Sequence, residues 1–184
     1  MIDYALVRHP PVAGGTGRCY GRIDLPLAAP DTDIPALVAN LADMRGAVIH
    51  TSPLSRCRTV ADALASDWGT SALPDDRLLE LDFGAWEGLS WDDVPRDALD
   101  AWASDLLGFA PPGGETGRDL IARVSGFWAG IVATGGAHVI ITHGGPLRVL
   151  LSLTQGEAVD LSGPAPAMGQ VIRGSGIGTP PALA

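Results

Sequence analysis

The heptapeptide Val139-Ile140-Ile141-Thr142-His143-Gly144-Gly145 carries the architecture, because an unbroken apolar run halts on a histidine followed by two glycines. A run of this kind bounded by Gly reads as a strand buried on both faces, and such strands belong to parallel sheets. Near the other end Ala5-Leu6-Val7 halts in the same way on Arg8-His9. Ligands of parallel α/β sheets gather beyond the carboxyl ends of the strands. The two imidazoles are therefore expected to meet in one crevice, and the arginine beside His9 suits that crevice to a phosphate.

Working outward, strands are expected at 4–8, 47–51, 77–81 and 137–142, with a weaker one near 170–173. Ile34, Leu37, Val38 and Leu41 recur at helical spacing, and 58–68 reads as a second helix entered through Ser52-Pro53-Leu54-Ser55. Longer amphipathic stretches occupy 95–107 and 117–133, divided by the breaker Ala110-Pro111-Pro112-Gly113-Gly114. Gly145-Pro146 opens a further helix, since proline is comfortable in a first turn. Strands alternating with helices imply a layered α/β fold, here one domain over 1–184. Residues 82–116 lack a strand pattern and are expected to form a lid or small cap, and 174–184, rich in Gly and Pro, a loose tail.

The 184 residues are 46% hydrophobic, enough for one well-buried core. A net charge of -9 argues against nucleic acid or an anionic membrane as partner. All 12 Lys+Arg residues are arginine, which excludes a Walker-type lysine loop, a Schiff base and a catalytic lysine. The sequence opens into a strand with no basic leader and no stretch able to span a bilayer, so a cytoplasmic protein is expected. Cys19 and Cys57 are too few for a disulfide framework, and no Cys/His spacing resembles a zinc site, so neither a metal nor a cofactor is expected. Cys57 reads as a packed helical residue, and Cys19 as a loop thiol beside the site. There is no GxSxG elbow, neither Cys begins a CxxxxxR loop, and Gly14-Gly15-Thr16-Gly17 alone does not make a nucleotide site.

Four segments carry chemistry. Arg8 offers a planar fork that binds phosphate oxygens in pairs, and a neutral His9 beside a clamped phosphoryl group is a competent nucleophile. Arg56 falls at the start of the second helix, where its charge opposes the helix dipole, an arrangement that makes sense if both attract the same anion. Glu80 reads as the end of the strand 77–81, at the edge shared with both histidines, where it is placed to protonate a leaving alcohol. Asp82 and Glu87 are rivals for that role. His143 adds a positive charge if protonated, and Gly144 and Gly145 permit close backbone approach with helix-opening N–H groups for an anion. Arg58 reads as an ordinary exposed arginine, and His50 and His138 carry no assigned role.

In this order, the four segments resemble the histidine phosphatase superfamily, the phosphoglycerate mutase-like group, from about residue 3 to 155 with a last strand near 172. The resemblance implies a three-layer α/β/α sandwich around a mostly parallel sheet. It implies His9 as the nucleophile that becomes phosphohistidine, a phosphate pocket of Arg8, Arg56 and His143, Glu80 as proton donor, and substrate contacts from Gly21, Arg22 and Gly144. Within the family, residues 17–27, FGAWEGLSW at 83–91 and PPGGET at 111–116 look most like the alpha-ribazole phosphatase branch of cobalamin synthesis. Two positions depart from the family pattern. Pro10 replaces the glycine after the nucleophile, fixing φ and removing an N–H. The downstream asparagine that helps hold phosphate has no counterpart, and Gly14, Gly15 and Thr16, whose backbone amides could stand in, occupy its neighbourhood.

The expected activity is that of a metal-independent phosphomonoesterase acting on a small phosphorylated metabolite. The alternatives are a mutase-type phosphotransferase, a protein phosphohistidine phosphatase and a catalytically silent phosphate-binding module. The short central segment and the absence of Lys count against the mutase.

Overall fold

The structure, a computed structural model, describes residues 1–176. In chain order it contains β1 (Ile2–Arg8), α1 (Pro30–Asn40), β2 (Val48–Thr51), α2 (Ser55–Trp68), β3 (Ala72–Pro74), α3 (Arg96–Ser104), α4 (Gly117–Thr134), β4 (Gly136–Thr142), α5 (Gly144–Gln155) and β5 (Val171–Ser175). The strands form one sheet in the order β3-β2-β4-β1-β5, parallel except for β5, which runs antiparallel on β1.

The strand pleat explains why β1 and β4 read as continuous apolar runs. Leu6 and Ile140 face the core built with Leu120, Val124, Phe127 and Trp128 of α4 and Leu147 and Leu150 of α5. Their neighbours Ala5, Val7, Val139 and Ile141 face the opposite core, built with Leu37 of α1 and Val60, Ala61 and Leu64 of α2. Both faces are covered, so every position along the run is apolar. Each fully buried Leu or Ile contributes about 1.5–3 kcal/mol relative to exposure, which fixes the register firmly.

That register builds the site. Arg8 pairs with Thr142 and Thr51 with Ile141, so three strand ends lie abreast. The chain continues the alignment past the strands: His9 N–H donates to Thr142 O at 3.1 Å and Ser52 N–H to Ile141 O at 2.9 Å.

Two expectations need correction. Residues 77–81 are not a strand; Asp75 accepts the Arg77 N–H and starts a 3-10 turn, Asp76–Leu78. The apolar pattern there comes from Leu78 and Leu81 reaching into the core. Side chains satisfy the backbone: the Arg123 guanidinium donates to the carbonyls of Arg77, Leu79 and Glu80 at 2.8, 2.6 and 3.1 Å, and the Thr142 hydroxyl to that of Leu78 at 2.6 Å. The strand lies earlier, at β3 on the sheet edge, where Pro74 is tolerated because an edge residue needs no ladder N–H. The expected loose tail also begins too early, since Gly174 and Ser175 belong to β5. Residues 177–184 of that expectation lie outside the described residues.

Residues 82–116 hold a 3-10 turn, Gly84–Trp86, and α3, and they build a third apolar cluster around Trp86, Val94 and Cys19. Phe83, Trp91 and Trp102 border it, with Trp91 and Trp102 stacked at 6.4 Å between ring centroids. Thr116 and Asp119 cap α4 reciprocally, which is why that helix begins directly after the Gly-rich breaker. Among the described residues no helix is long and apolar enough to cross a membrane.

Candidate active site

The β1 and β4 ends bring the imidazoles of His9 and His143 edge to face, with ring centroids 5.2 Å apart. His9 Nδ1 lies 2.7 Å from Pro10 O. A carbonyl can only accept, so Nδ1 carries the proton and Nε2 presents its lone pair. The residue that departs from the family pattern thus orients the ring through its carbonyl, while the missing N–H lies elsewhere. Burial pulls the His9 pKa down to about 4; the Pro10 hydrogen bond opposes this, and the Arg56 and Arg8 charges reinforce it. At neutral pH His9 is an uncharged base.

His143 is fully enclosed. Its Nδ1 accepts from Arg56 Nε at 3.2 Å, and its Nε2 lies 2.7 Å from Ser52 Oγ. An arginine can only donate, so Nδ1 is bare and Nε2 donates to the serine. Burial, followed by the Arg56 charge, drives the His143 pKa well below its ordinary value. His143 is therefore neutral, so the protonation on which its positive charge depends is not favoured here.

Arg56 has no exposed surface. Its NH1 and NH2 donate to Ile23 O at 2.8 Å and Gly21 O at 2.7 Å, and its guanidinium lies over the Tyr20 ring at 5.3 Å. With Nε on His143, three of its five donors are used. Arg8 donates from NH1 to Pro166 O at 2.6 Å, and its buried Nε finds no acceptor. Among the described residues neither arginine has a carboxylate within ion-pair distance. Two largely desolvated cations without counter-charge are costly in an empty pocket and favourable around an anion.

These groups line a cavity of about 190 Å³, with Arg8, His9, Arg56 and Glu80 on its walls beside Arg18, Tyr20, Gly21, Phe83 and Trp91. Gly21 is required sterically, as a Cβ there would overlap the Leu81 carbonyl. Gly144 lets the Arg8 guanidinium approach α5, with Arg8 NH2 only 3.3 Å from where a Cβ would stand.

Glu80 lines the same cavity as His9, although no strand delivers it there. Its carboxylate accepts from Leu81 N–H at 2.9 Å and from Gly145 N–H at 3.1 and 3.2 Å. The start of α5 is thus occupied by a carboxylate of this chain, where the sequence suggested the substrate anion. At α2 the same holds: Ser55 N–H and Oγ both donate to Asp24 Oδ1 at 2.8 Å. A Cβ at Gly145 would overlap Glu80 Oε1, so a larger residue there would push the carboxylate out of its present position.

The rivals are engaged elsewhere. Asp82 accepts the Gly84 N–H at 2.8 Å, and Glu87 accepts the N–H groups of Arg22, Ile23 and Phe83. Arg22 does not reach the cavity wall; its guanidinium faces Asp82 at 3.6 Å and Glu115 at 3.5 Å. Gly14, Gly15 and Thr16 do not line the cavity either, and Arg18 and Tyr20 occupy the wall expected of them. Cys19 is fully buried and its thiol is pushed up to about 12, by burial first and the Glu87 charge second, so it is unreactive. Sequence reasoning missed Ser52, which anchors His143, and Arg123, which holds the Glu80 backbone; both lie on apolar-flanked segments with no motif of their own. Among the described residues no cluster of His, Cys, Asp and Glu suited to a metal ion occurs.

A small cavity lined by an imidazole, a carboxylate and two guanidinium groups that among the described residues make no ion pair is suited in size and charge to a phosphoryl group. The family model described as histidine phosphatase superfamily (branch 1) matches residues 4–163, and the chain belongs to that superfamily. A probable phosphoglycerate mutase of Klebsiella pneumoniae is 30% identical over 164 residues, 85% of this chain and 76% of that protein. Phosphoserine phosphatase 1 of Hydrogenobacter thermophilus is 28% identical over 176 residues, 88% of this chain and 79% of its own. A bifunctional protein of Mycobacterium tuberculosis is 36% identical over 112 residues, 58% of this chain, and the match spans only 30% of that longer relative. Among solved structures, native mycobacterial glucosyl-3-phosphoglycerate phosphatase superposes with TM-score 0.81 at 26% identity, covering 96% of this chain and 91% of its own. YhfR of Bacillus stearothermophilus superposes with TM-score 0.82 at 25% identity, covering 94% and 90%.

Proposed function

We propose that this protein is a phosphomonoesterase that hydrolyses a small phosphorylated metabolite through a phosphohistidine on His9, without needing a metal. The observation that carries the reading is the pair of cations without carboxylates, Arg8 and the enclosed Arg56, beside a His9 whose Nε2 is free to attack. In the first step Nε2 bonds to phosphorus, the P–O ester bond breaks, and Glu80, entering the cycle as the carboxylic acid, gives its proton to the departing alcohol and is left as carboxylate. In the second, water attacks phosphorus, the P–N bond breaks, and Glu80 takes the proton from water. The guanidinium groups hold the equatorial oxygens, where most of the catalysis of phosphoryl transfer resides. His143 acts as a neutral positioning residue that aims Arg56, and Gly21 and Gly144 give the backbone room to approach.

Residues 82–116 serve as the cap, their aromatic side chains closing one side of the cavity through Phe83 and Trp91. The whole chain acts as one domain in the cytoplasm. The motif resemblance nominates alpha-ribazole 5'-phosphate, of cobalamin synthesis, as substrate. Phosphate release from p-nitrophenyl phosphate with excess chelator tests the enzyme against a silent binding module. A panel of alpha-ribazole 5'-phosphate, 3-phosphoglycerate and a phosphohistidine peptide tests the ester hydrolase against the mutase and the protein phosphatase. The mutase reading keeps a place because the Klebsiella relative carries that description.

A further inference from the structure

A second cavity, of about 350 Å³, opens on the other side of Glu80. It shares Glu80 and Phe83 with the phosphoryl cavity, so the two adjoin at the residue that handles the leaving oxygen. The phosphoryl cavity, at about 190 Å³, is the smaller of the two, and the Glu80–Phe83 wall is where space for the rest of an ester adjoins it. The second cavity has the dimensions of a small-molecule site. Its wall is apolar and partly aromatic, with Phe83, Trp102, Leu106, Leu120 and Leu161, and one cation, Arg148, enters it from α5.

Arg148 is half-buried and spends Nε on Gly163 O at 2.7 Å. Among the described residues it has no carboxylate within ion-pair distance, Glu80 on the same wall included. Asp160 and Glu80 act on it only at a distance, so a half-buried guanidinium at an apolar chamber keeps donors with no carboxylate in contact, and an anion on whatever fills the chamber would engage them. We infer that this cavity receives the alcohol portion of the substrate, and that this portion is a flat, largely apolar body bearing an anionic group that pairs with Arg148. The inference rests on the phosphomonoesterase reading and narrows its substrate class. In this respect the inference competes with the alpha-ribazole nomination, since an alpha-ribazole moiety bears no anionic group to meet Arg148.

Two esters of matched bulk test it: meta-carboxyphenyl phosphate and meta-carbamoylphenyl phosphate, compared as a ratio of kcat/KM so that the fraction of active protein cancels. The wild-type ratio is expected to favour the carboxylate by about tenfold or more, falling toward one in Arg148→Met and only partly in Arg148→Lys. A wild-type ratio near one, or a ratio that survives Arg148→Met, overturns the inference while hydrolysis of both esters leaves the phosphatase reading standing. If neither ester is hydrolysed, the phosphatase reading fails, and the cavity is then tested by binding of meta-hydroxybenzoate and meta-hydroxybenzamide, followed by tryptophan fluorescence. Tighter binding of the benzoate, lost in Arg148→Met, supports the anion site, and equal binding of the two overturns it.

Discussion

Two pairs of histidines sit on this sheet at nearly the same spacing, and only one makes a site. His9 and His143 have ring centroids 5.2 Å apart at the strand ends, and His50 and His138 have theirs 5.3 Å apart within β2 and β4. In the second pair His138 Nε2 lies 2.9 Å from Gly135 O and must donate, so its Nδ1 accepts from His50 Nε2 at 3.1 Å. His50 also meets Phe127 edge-on. The first pair differs in its company: two guanidinium groups without counter-charge, a carboxylate lining the same cavity and a nitrogen lone pair open to a chamber. Proximity of imidazoles is a matter of packing. Chemistry comes from what is left unsatisfied around them.

Substitutions in the two pairs should separate by orders of magnitude. His9→Ala removes the nucleophile and should lower kcat for p-nitrophenyl phosphate by about 10⁴ or more, whereas His50→Gln should change it by less than about threefold. Comparable losses in both would erase the distinction. Glu80→Gln comes next: about 10²–10⁴ in kcat/KM for an alkyl phosphate with a poor leaving group, and far less for p-nitrophenyl phosphate, whose leaving oxygen needs little protonation. Equal slowing of both substrates would remove Glu80 from the acid role. Arg56→Met should cost about 10²–10³ in kcat/KM by leaving equatorial charge unmatched. Because Arg56 is fully buried and also carries Gly21 and Ile23, competitive inhibition by vanadate should weaken in parallel, which a purely structural loss of active protein would not produce.

The parts legible in the sequence were those where local pattern and global role coincide. Residues 5–9 and 139–145 announced buried parallel strands and their histidines together, because burial on both faces writes itself as an unbroken apolar run. Arg56 was legible as a charge placed against its own helix dipole. Glu80 was found for a reason that does not hold. Leu78, Leu79 and Leu81 mimic the short apolar run of a buried strand, yet the backbone is a turn held by Arg123 and Thr142, and pairing by a residue more than forty positions away leaves no local mark. The charge state of His143 was equally hidden, since it depends on Arg56 donating to Nδ1, a contact between residues 87 apart. The helix starts misled in one respect: α2 and α5 were read as anion sites for substrate, and the chain fills both with Asp24 and Glu80.

The smallest expected effect bears most directly on the two pairs, because His9 of one and His50 of the other are neutral for the same reason. Burial lowers His50 to about 4, with the neighbouring His138 reinforcing it and Asp75 opposing it, and burial lowers His9 to about 4 as well. The unfolded chain binds a proton on each near pH 6.5 while the native protein resists until about 4, so stability is fully present above 6.5 and is lost as pH falls between these values. Each group contributes at most about 3 kcal/mol over that window, at about 1.36 kcal/mol per pH unit. Urea midpoints measured from pH 7 to 4 should therefore fall more steeply in the wild type than in His50→Gln, and a parallel pair of curves would show that His50 carries no such coupling. Vanadate should part the two sites: the anion's charge favours the imidazolium of His9, so the histidine resonances assigned to residue 9 should titrate at higher pH when vanadate is bound, while those of His50 stay where they were. A shift shared by both would mean that the cavity around His9 is no more tuned to an anion than the sealed pair inside the sheet.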